Sequence, residues 1–338
     1  MKTLMLTPCE SDIKKAAAIL KEGGLVAIPT ETVYGLAGNA FDAGSSAAIY
    51  AAKGRPSDNP LIVHICEVSA VAAIAKAVPD NAARLFDAFW PGPLTVILPK
   101  RDIIPYATSG GLDTVGIRFP ANKTAQALIR ECGFPLAAPS ANLSGHPSPT
   151  TAQHVKNDLD GRIAAIIDGG ICAVGVESTV VSVDEAGHVT LLRPGFVSLE
   201  ELRDTVGWEN VSMARGVVEH IGDGEKVLSP GMKYRHYAPD AHVVIVEGSR
   251  EEYVSFVNAR RDENICAMCF GDEQGIGVPR VPYGITPAEQ AHSLFDVLRS
   301  LDDISADTVY VRCPEKDGLG LAVYNRLLRA AGFETVRC

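Results

Sequence analysis

Apolar positions along this chain fall into two spacings that take turns. Ile13, Ala16, Ala17 and Leu20 recur at helical intervals, with Ser11 suited to cap the run and Gly23-Gly24 suited to stop it. Residues 25–28 then read as a strand that empties into the loop Pro29-Thr-Glu-Thr-Val-Tyr-Gly-Leu36. A second helix opens at Asp42 or Ser45 and runs through Ala52. Further strands are expected over residues 61–65, 94–98, 114–119 and 163–167, and an antiparallel pair over 177–183 and 189–193, closed by Pro194-Gly195. Ala-rich helices broken at Pro79, a helix from Asn122 and another over 151–159 lie between them.

The second half changes rhythm. Residues 207–240 show little regular patterning and end in Ser229-Pro-Gly-Met-Lys-Tyr-Arg-His-Tyr-Ala-Pro239. Beyond them strands over 242–246, 265–270 and 308–311 alternate with helices over 250–259, 287–301 and 319–331. Such alternation makes a small Rossmann-like α/β unit. The chain therefore reads as α/β throughout, with a first domain over 1–206, a linker over 207–240 and a second domain over 241–338. Its 338 residues suffice for two cores.

Composition narrows the class without naming a chemistry. Hydrophobic residues make up 46% and charged residues 21%, as in an ordinary globular protein. The formal net charge of -10 argues against a general nucleic-acid coat, while leaving room for a local basic pocket. No run reaches the apolar length of a membrane span and the N-terminus has no signal-type apolar region, so a cytoplasmic protein without a membrane partner is expected. Eight scattered cysteines do not make a disulfide framework. Cys266-Ala-Met-Cys269 has the spacing of half a zinc or redox site, but it lacks a second pair and sits in an apolar run. No metal ligand is assigned.

Chemistry-bearing side chains gather where strands end. In Lys53-Gly-Arg-Pro-Ser-Asp-Asn-Pro60 a glycine and two prolines break any helix, which puts Lys53 and Arg55 on an irregular loop. Two cations so close suit an oxyanion or phosphate clamp, or simply a solvated loop. His64 places a titratable group inside an apolar strand, as a ligand or as a satisfied core histidine. Thr32, Arg118, Ser140, Asn142, Ser178 and Arg193 also fall at strand ends. Cations, hydroxyls and an amide together suit an anionic, polyoxygenated ligand such as a nucleotide with an amino acid. Neither the P-loop nor the dinucleotide fingerprint is present, and Gly318-Leu-Gly320 is a lone Gly-x-Gly.

Several of these motifs carry a family likeness. Pro29-Thr-Glu-Thr-Val-Tyr-Gly-Leu36, Lys53-x-Arg55 with Asn59-Pro60-Leu61, Ser140-Ala-Asn142 and Glu177-Ser-Thr179 together resemble the YrdC-like domain. With Ser229-Pro-Gly-Met-Lys-Tyr-Arg-His-Tyr-Ala-Pro239 and the second domain, the whole chain is similar to the two-domain threonylcarbamoyl-AMP synthases. The resemblance implies a twisted mixed sheet with flanking helices, followed by the small Rossmann-like domain. It implies that L-threonine, bicarbonate and ATP, carrying Mg2+, give threonylcarbamoyl-AMP and pyrophosphate. The product would pass to a tRNA threonylcarbamoyl transferase complex.

By motif match, Thr32, His64, Arg118 and Ser178 would hold threonine. Lys53, Arg55, Asn59, Ser140, Asn142 and Arg193 would line the nucleotide, with Lys53 and Arg55 acting in catalysis. Thr114, Ser148 and the backbone of Ala138 are further nucleotide candidates, and residues 207–240 would form a lid with Tyr234 as the contact. Two rivals share the YrdC-like domain. One is a non-catalytic module that contacts tRNA or another RNA, for which Thr32 and Ser178 would be superfluous. The other is a hydrogenase-maturation-type carbamoyltransferase, which also needs an acylphosphatase domain and paired Cys-x-x-Cys fingers.

Overall fold

The computed structural model describes residues 2–220 and 237–338, and these form two sheets. The first contains β1 (Leu4–Leu6), β2 (Val26–Ile28), β3 (Gly35–Asn39), β4 (Ile62–His64), β5 (Leu94–Pro99), β6 (Thr114–Arg118), β7 (Leu136–Ala137), β8 (Ala165–Ile167), β9 (Thr179–Val183), β10 (Val189–Arg193) and β11 (Val211–Met213). Their spatial order is β1-β8-β2-β3-β7-β4-β6-β5-β9-β10-β11. Parallel pairs such as β4–β6 sit beside antiparallel ones such as β5–β6, so the sheet is mixed, as expected. Its strands are buried runs such as Leu94–Leu98 rather than alternating ones, because helices cover them.

Three local differences from the sequence reading have physical causes. The first helix is Glu10–Lys21, two residues ahead of a Ser11 cap, because Asp12 accepts both the Thr7 N–H and the Thr7 hydroxyl and draws the start back. The second helix, Ala43–Lys53, begins where Asp42 accepts the N–H groups of Gly44 and Ser45. It ends at Gly54 in the left-handed region, so Lys53 occupies the last helical turn and not the irregular loop. Finally, β11 pairs with β10 through Val189↔Val211, so the first sheet extends into residues expected to be linker.

The second sheet contains β12 (His242–Glu247), β13 (Ile265–Cys269), β14 (Arg280–Pro282), β15 (Thr308–Arg312) and β16 (Thr335–Arg337), in the order β14-β13-β15-β12-β16. Every pair is parallel, with the helices Arg250–Asn258, Pro287–Ser300 and Gly318–Ala330 as crossovers. Cys266 and Cys269 lie three apart on β13 and so face opposite sides, Cys266 toward Phe295 and Cys269 toward Tyr253. They form no shared site. Gly320 answers to packing: a Cβ there would lie 2.6 Å from the Glu315 carbonyl oxygen.

The two domains share a core. Val33 and Val176 of the first belong to the same apolar cluster as Phe295, Leu298 and Ala322 of the second. Arg299 reaches across as a fork, its Nη1 and Nη2 each 2.9 Å from an oxygen of Asp158. Among the described residues no helix is long and apolar enough to cross a membrane.

Candidate active site

The carboxyl ends of β4 and β6 put His64 and Arg118 side by side as register partners. The loop after β2, the residues before β9 and the end of β10 converge on the same place. They line a cleft into which Thr32, His64, Arg118, Ser178 and Arg193 all face. Lys53, Arg55, Ala138, Ser140 and Asn142 complete the part of the wall that the sequence anticipates.

Hydrogen bonding decides which groups offer donors and which offer acceptors. Thr30 donates its hydroxyl to the Val33 carbonyl at 2.6 Å, so the 2.9 Å contact between Thr30 and Thr32 must be donated by Thr32. The Thr32 oxygen is thereby turned into an acceptor for a ligand. His64 Nδ1 lies 3.0 Å from the Ile62 carbonyl, which can only accept, so the proton sits on Nδ1 and Nε2 keeps its lone pair. Burial, reinforced by the Arg118 charge, pulls the His64 imidazole down to about 3, and it is neutral at physiological pH.

Arg118 is engaged before any ligand arrives. Its Nη2 is 2.7 Å from Glu31 Oε1 and its Nε is 3.4 Å from the Gly92 carbonyl, and neither contact uses Nη1. Burial raises the Glu31 carboxyl, but the charge and hydrogen bond of Arg118 outweigh it and hold the group below the usual range. Ser178 accepts from Arg193 Nη2 at 3.2 Å and contacts the Thr95 hydroxyl at 2.8 Å. Burial lowers Arg193 to about 10, which leaves it charged at neutral pH.

Lys53 is buried, and its ammonium donates to the Ser140 carbonyl, to the Asn142 carbonyl at 2.6 Å and to Asn142 Oδ1 at 3.4 Å. Desolvation first, then the nearby Arg55 charge, moves it well below the ordinary lysine value. The position at the end of a helix explains the geometry: Lys53 pins the loop after β7 from beneath. Asn142 is equally committed, its Nδ2 donating to the carbonyls of Leu143 and His146 at 2.7 and 2.9 Å. Arg55 is half-buried and donates to the carbonyls of Asn59 and Pro60. The Ala138 N–H is spent on the Ile62 carbonyl at 2.9 Å, so its backbone can offer a ligand only an acceptor.

Three expected nucleotide residues stand off this wall. Thr114 lines a smaller adjoining cleft with Thr95 and Val180, and Ile62 borders both. Ser148 is fully buried behind the wall and donates to Glu177 Oε1 at 2.6 Å. Asn59 is buried with its Oδ1 unpartnered among the described residues. Tyr234 lies outside the described residues. Of the same segment Tyr237 is described: it lines the cleft, holds a left-handed backbone with φ 63°, and bonds to Glu177.

Sequence reasoning missed Glu31, Glu177 and Arg326 as site residues, and in the segment that ends at Tyr237 it chose Tyr234 as the contact. Glu177 belonged to a motif without being given a task. In the structure it is buried against Arg326 of the second domain at 2.9 Å, and although burial raises its carboxyl, Arg326 and Arg193 bring it down to about 2. The available signal for Arg326 was two arginines in an otherwise apolar helix. Among the described residues no group of three or more His, Cys, Asp or Glu is placed to hold a metal ion. Glu177 is the carboxylate on the wall, and its oxygens are taken by Arg326 and Ser148.

Comparison with known proteins agrees across the full length. A family profile described as "Telomere recombination" matches residues 18–195, and one described as the C-terminal domain of threonylcarbamoyl-AMP synthase matches residues 197–332. The chain is 44% identical to the threonylcarbamoyl-AMP synthase of Pyrococcus abyssi over 337 residues, which is 97% of this chain and 96% of that one. It is also 44% identical to the Bacillus subtilis enzyme of the same name, over 98% and 96% of the two chains. The crystal structure of P. abyssi Sua5 complexed with L-threonine superposes with a TM-score of 0.92 at 41% identity, covering 100% of both chains.

Proposed function

This chain belongs to the threonylcarbamoyl-AMP synthase family, and from that we propose that it converts L-threonine, bicarbonate and ATP to L-threonylcarbamoyl adenylate and pyrophosphate. The observation that carries the reading is one cleft combining acceptors and a neutral imidazole, at Thr32 and His64, with cationic groups at Arg55, Arg118 and Arg193. The first group suits an amino acid's amine, and Arg118 suits its carboxylate through the nitrogen that Glu31 leaves unused. Arg55 and Arg193 suit phosphate oxygens.

In the reaction, the neutral amine of threonine adds to carbon dioxide formed from bicarbonate; the hydroxide that bicarbonate loses and the proton that the amine gives up leave as water, and a carbamate is formed. A carbamate oxygen then attacks the α-phosphorus, the bond to the β-phosphate oxygen breaks, and pyrophosphate leaves with the electron pair. Such a step asks for alignment and charge neutralisation rather than a protein nucleophile. Thr32 and His64 Nε2, both acceptors, orient the amine. Lys53, with its donors spent on the loop, acts by fixing Ser140 and Asn142 at the nucleotide. An Mg2+ carried on the ATP phosphates would help neutralise their charge; among the described residues none forms a carboxylate cage for it. Tyr237 adds its ring to the cleft wall beside Glu177, and the product would be consumed in tRNA modification.

Purified protein incubated with ATP, bicarbonate and single amino acids tests the proposal. Pyrophosphate should appear only with threonine and bicarbonate together, and equal release without threonine would sink it.

A further inference from the structure

The helix Gly318–Ala330 is apolar nearly all round, yet it buries Asn325, Arg326 and Arg329. Arg326 has no exposed surface. A guanidinium withdrawn from water persists only where its donors are met. Here they are met mainly in the other domain. Nε donates to Glu177 Oε2 at 2.9 Å, Nη2 faces the Glu177 carbonyl at 3.4 Å, and Nη1 donates to the Pro194 carbonyl at 2.7 Å and to Asn325 Oδ1 at 3.0 Å.

The two residues it reaches are informative. Glu177 immediately precedes Ser178, and Pro194 immediately follows Arg193. One side chain of the second domain therefore ties together the two backbone segments that carry Ser178 and Arg193, which are bonded to each other at the cleft. The segments meet closely: a Cβ on Gly195 would lie 2.3 Å from the Thr179 nitrogen. Ser148 fixes the other Glu177 oxygen at 2.6 Å, so the carboxylate is oriented from both sides.

We infer that Arg326 is a positioning residue of the active site, holding segments 177–178 and 193–194 in register and neutralising the Glu177 carboxylate beside the ligands. The inference rests on the proposed synthase reaction, whose ATP and threonine are both anionic. A Glu177 left without its partner would repel both, and its carboxylate would turn toward Arg193. The second domain then supplies part of the site's geometry, and docking of the domains and assembly of the site are one event.

The test measures kcat and KM for ATP and threonine, by pyrophosphate release, on full-length variants alongside their thermal midpoints. Arg326→Met should lose about 30-fold or more in kcat/KM, as expected for breaking a buried charge pair. Adding Glu177→Gln to Arg326→Met removes the stranded charge and should recover activity to within about tenfold of wild type. Arg326→Lys keeps the charge but loses the fork to two segments, and should fall between them. Arg299→Met, which cuts the interdomain ion pair to Asp158, should lower the thermal midpoint while leaving kcat/KM within about twofold. If Arg326→Met is no worse than Arg299→Met, or if the double variant fails to exceed Arg326→Met at a matched thermal midpoint, the inference is overturned. Should Arg326→Met not fold, the double variant and Arg326→Lys carry the comparison, and a double variant less active than Arg326→Lys by more than tenfold overturns it. Wild-type protein without threonine-dependent pyrophosphate release would overturn the functional reading instead.

Discussion

His64 and Arg118 are register partners on the parallel strands β4 and β6, so a neutral imidazole and a guanidinium stand abreast at one end of the sheet. Burial, with the Arg118 charge beside it, fixes how His64 responds to acid. Its imidazole titrates near 3 in the folded chain against about 6.5 when unfolded, so between those values the unfolded chain binds more protons. The stability contributed by His64 is therefore complete above pH 6.5 and is lost as pH falls toward 3. Linkage gives a loss of about 2 kcal/mol by pH 5. His64→Asn should lack that part of the decline, as read from urea unfolding of both proteins at pH 7 and pH 5. Parallel declines would show that the imidazole is charged in the folded protein.

Arg118→Lys should raise the KM for threonine while ATP affinity stays close to wild type. A lysine offers one point charge, which cannot serve Glu31 and a ligand carboxylate together. Losing one member of a buried charge pair costs about 2–5 kcal/mol, and calorimetry with each substrate separately would register it. Glu31→Gln should weaken threonine binding less, since the amide still accepts from Nη2. Unchanged threonine affinity in Arg118→Lys would make the arginine structural only.

The spacing of apolar residues made most of the fold legible. The helices Pro287–Ser300 and Lys123–Cys132 stand within a residue of where the sequence reading put them, capped by Thr286 and Asn122. What escaped was short or glycine-rich. Gly35–Asn39 reads as loop because of its two glycines, yet Gly38 is a strand residue whose missing Cβ makes room for Ile49 and Leu25 at 3.2 Å. Within the site, residues at strand ends were legible because a polar group interrupting an apolar run stands out. The partners that set their behaviour were not. Arg326 lies 149 residues from Glu177, and no local pattern announces so distant a bond. Lys53 was misplaced by one residue for a simpler reason: the stretch after it breaks helices, but Gly54 does so only beyond Lys53.

Lys53→Met should show that this lysine holds a loop together. Removing the ammonium leaves the Ser140 and Asn142 carbonyls short of a donor in a buried place. Unfolding free energy should drop by about 1–3 kcal/mol, the usual range for a stranded buried polar group. ATP affinity should fall in parallel, because Ser140 and Asn142 then lose their fixed position. Urea titration and calorimetry check the two readouts, and a variant of full stability with weak ATP binding would assign Lys53 to the phosphates directly.

Truncation separates the sheet from the site. A chain ending at Val218 keeps β11 on β10, whereas one ending at Val206 strips it away. The longer piece should unfold at higher urea than the shorter one. Both should release pyrophosphate poorly, because each lacks Tyr237 and Arg326. Full activity in either piece would show that the first domain works alone.

Arg326 also sets an order of events during synthesis. Domains tend to fold as they emerge, the N-terminal one first. The first domain can bury most of its sheet while the helix Gly318–Ala330 has yet to be made, but the bridge from Glu177 to Pro194 has no keystone until then. Newborn chains would therefore pass through a stage that is compact and inert, which spares ATP from a half-formed catalyst. A chain halted before Gly318 should accordingly show a folded first domain by circular dichroism and no threonine-dependent pyrophosphate release.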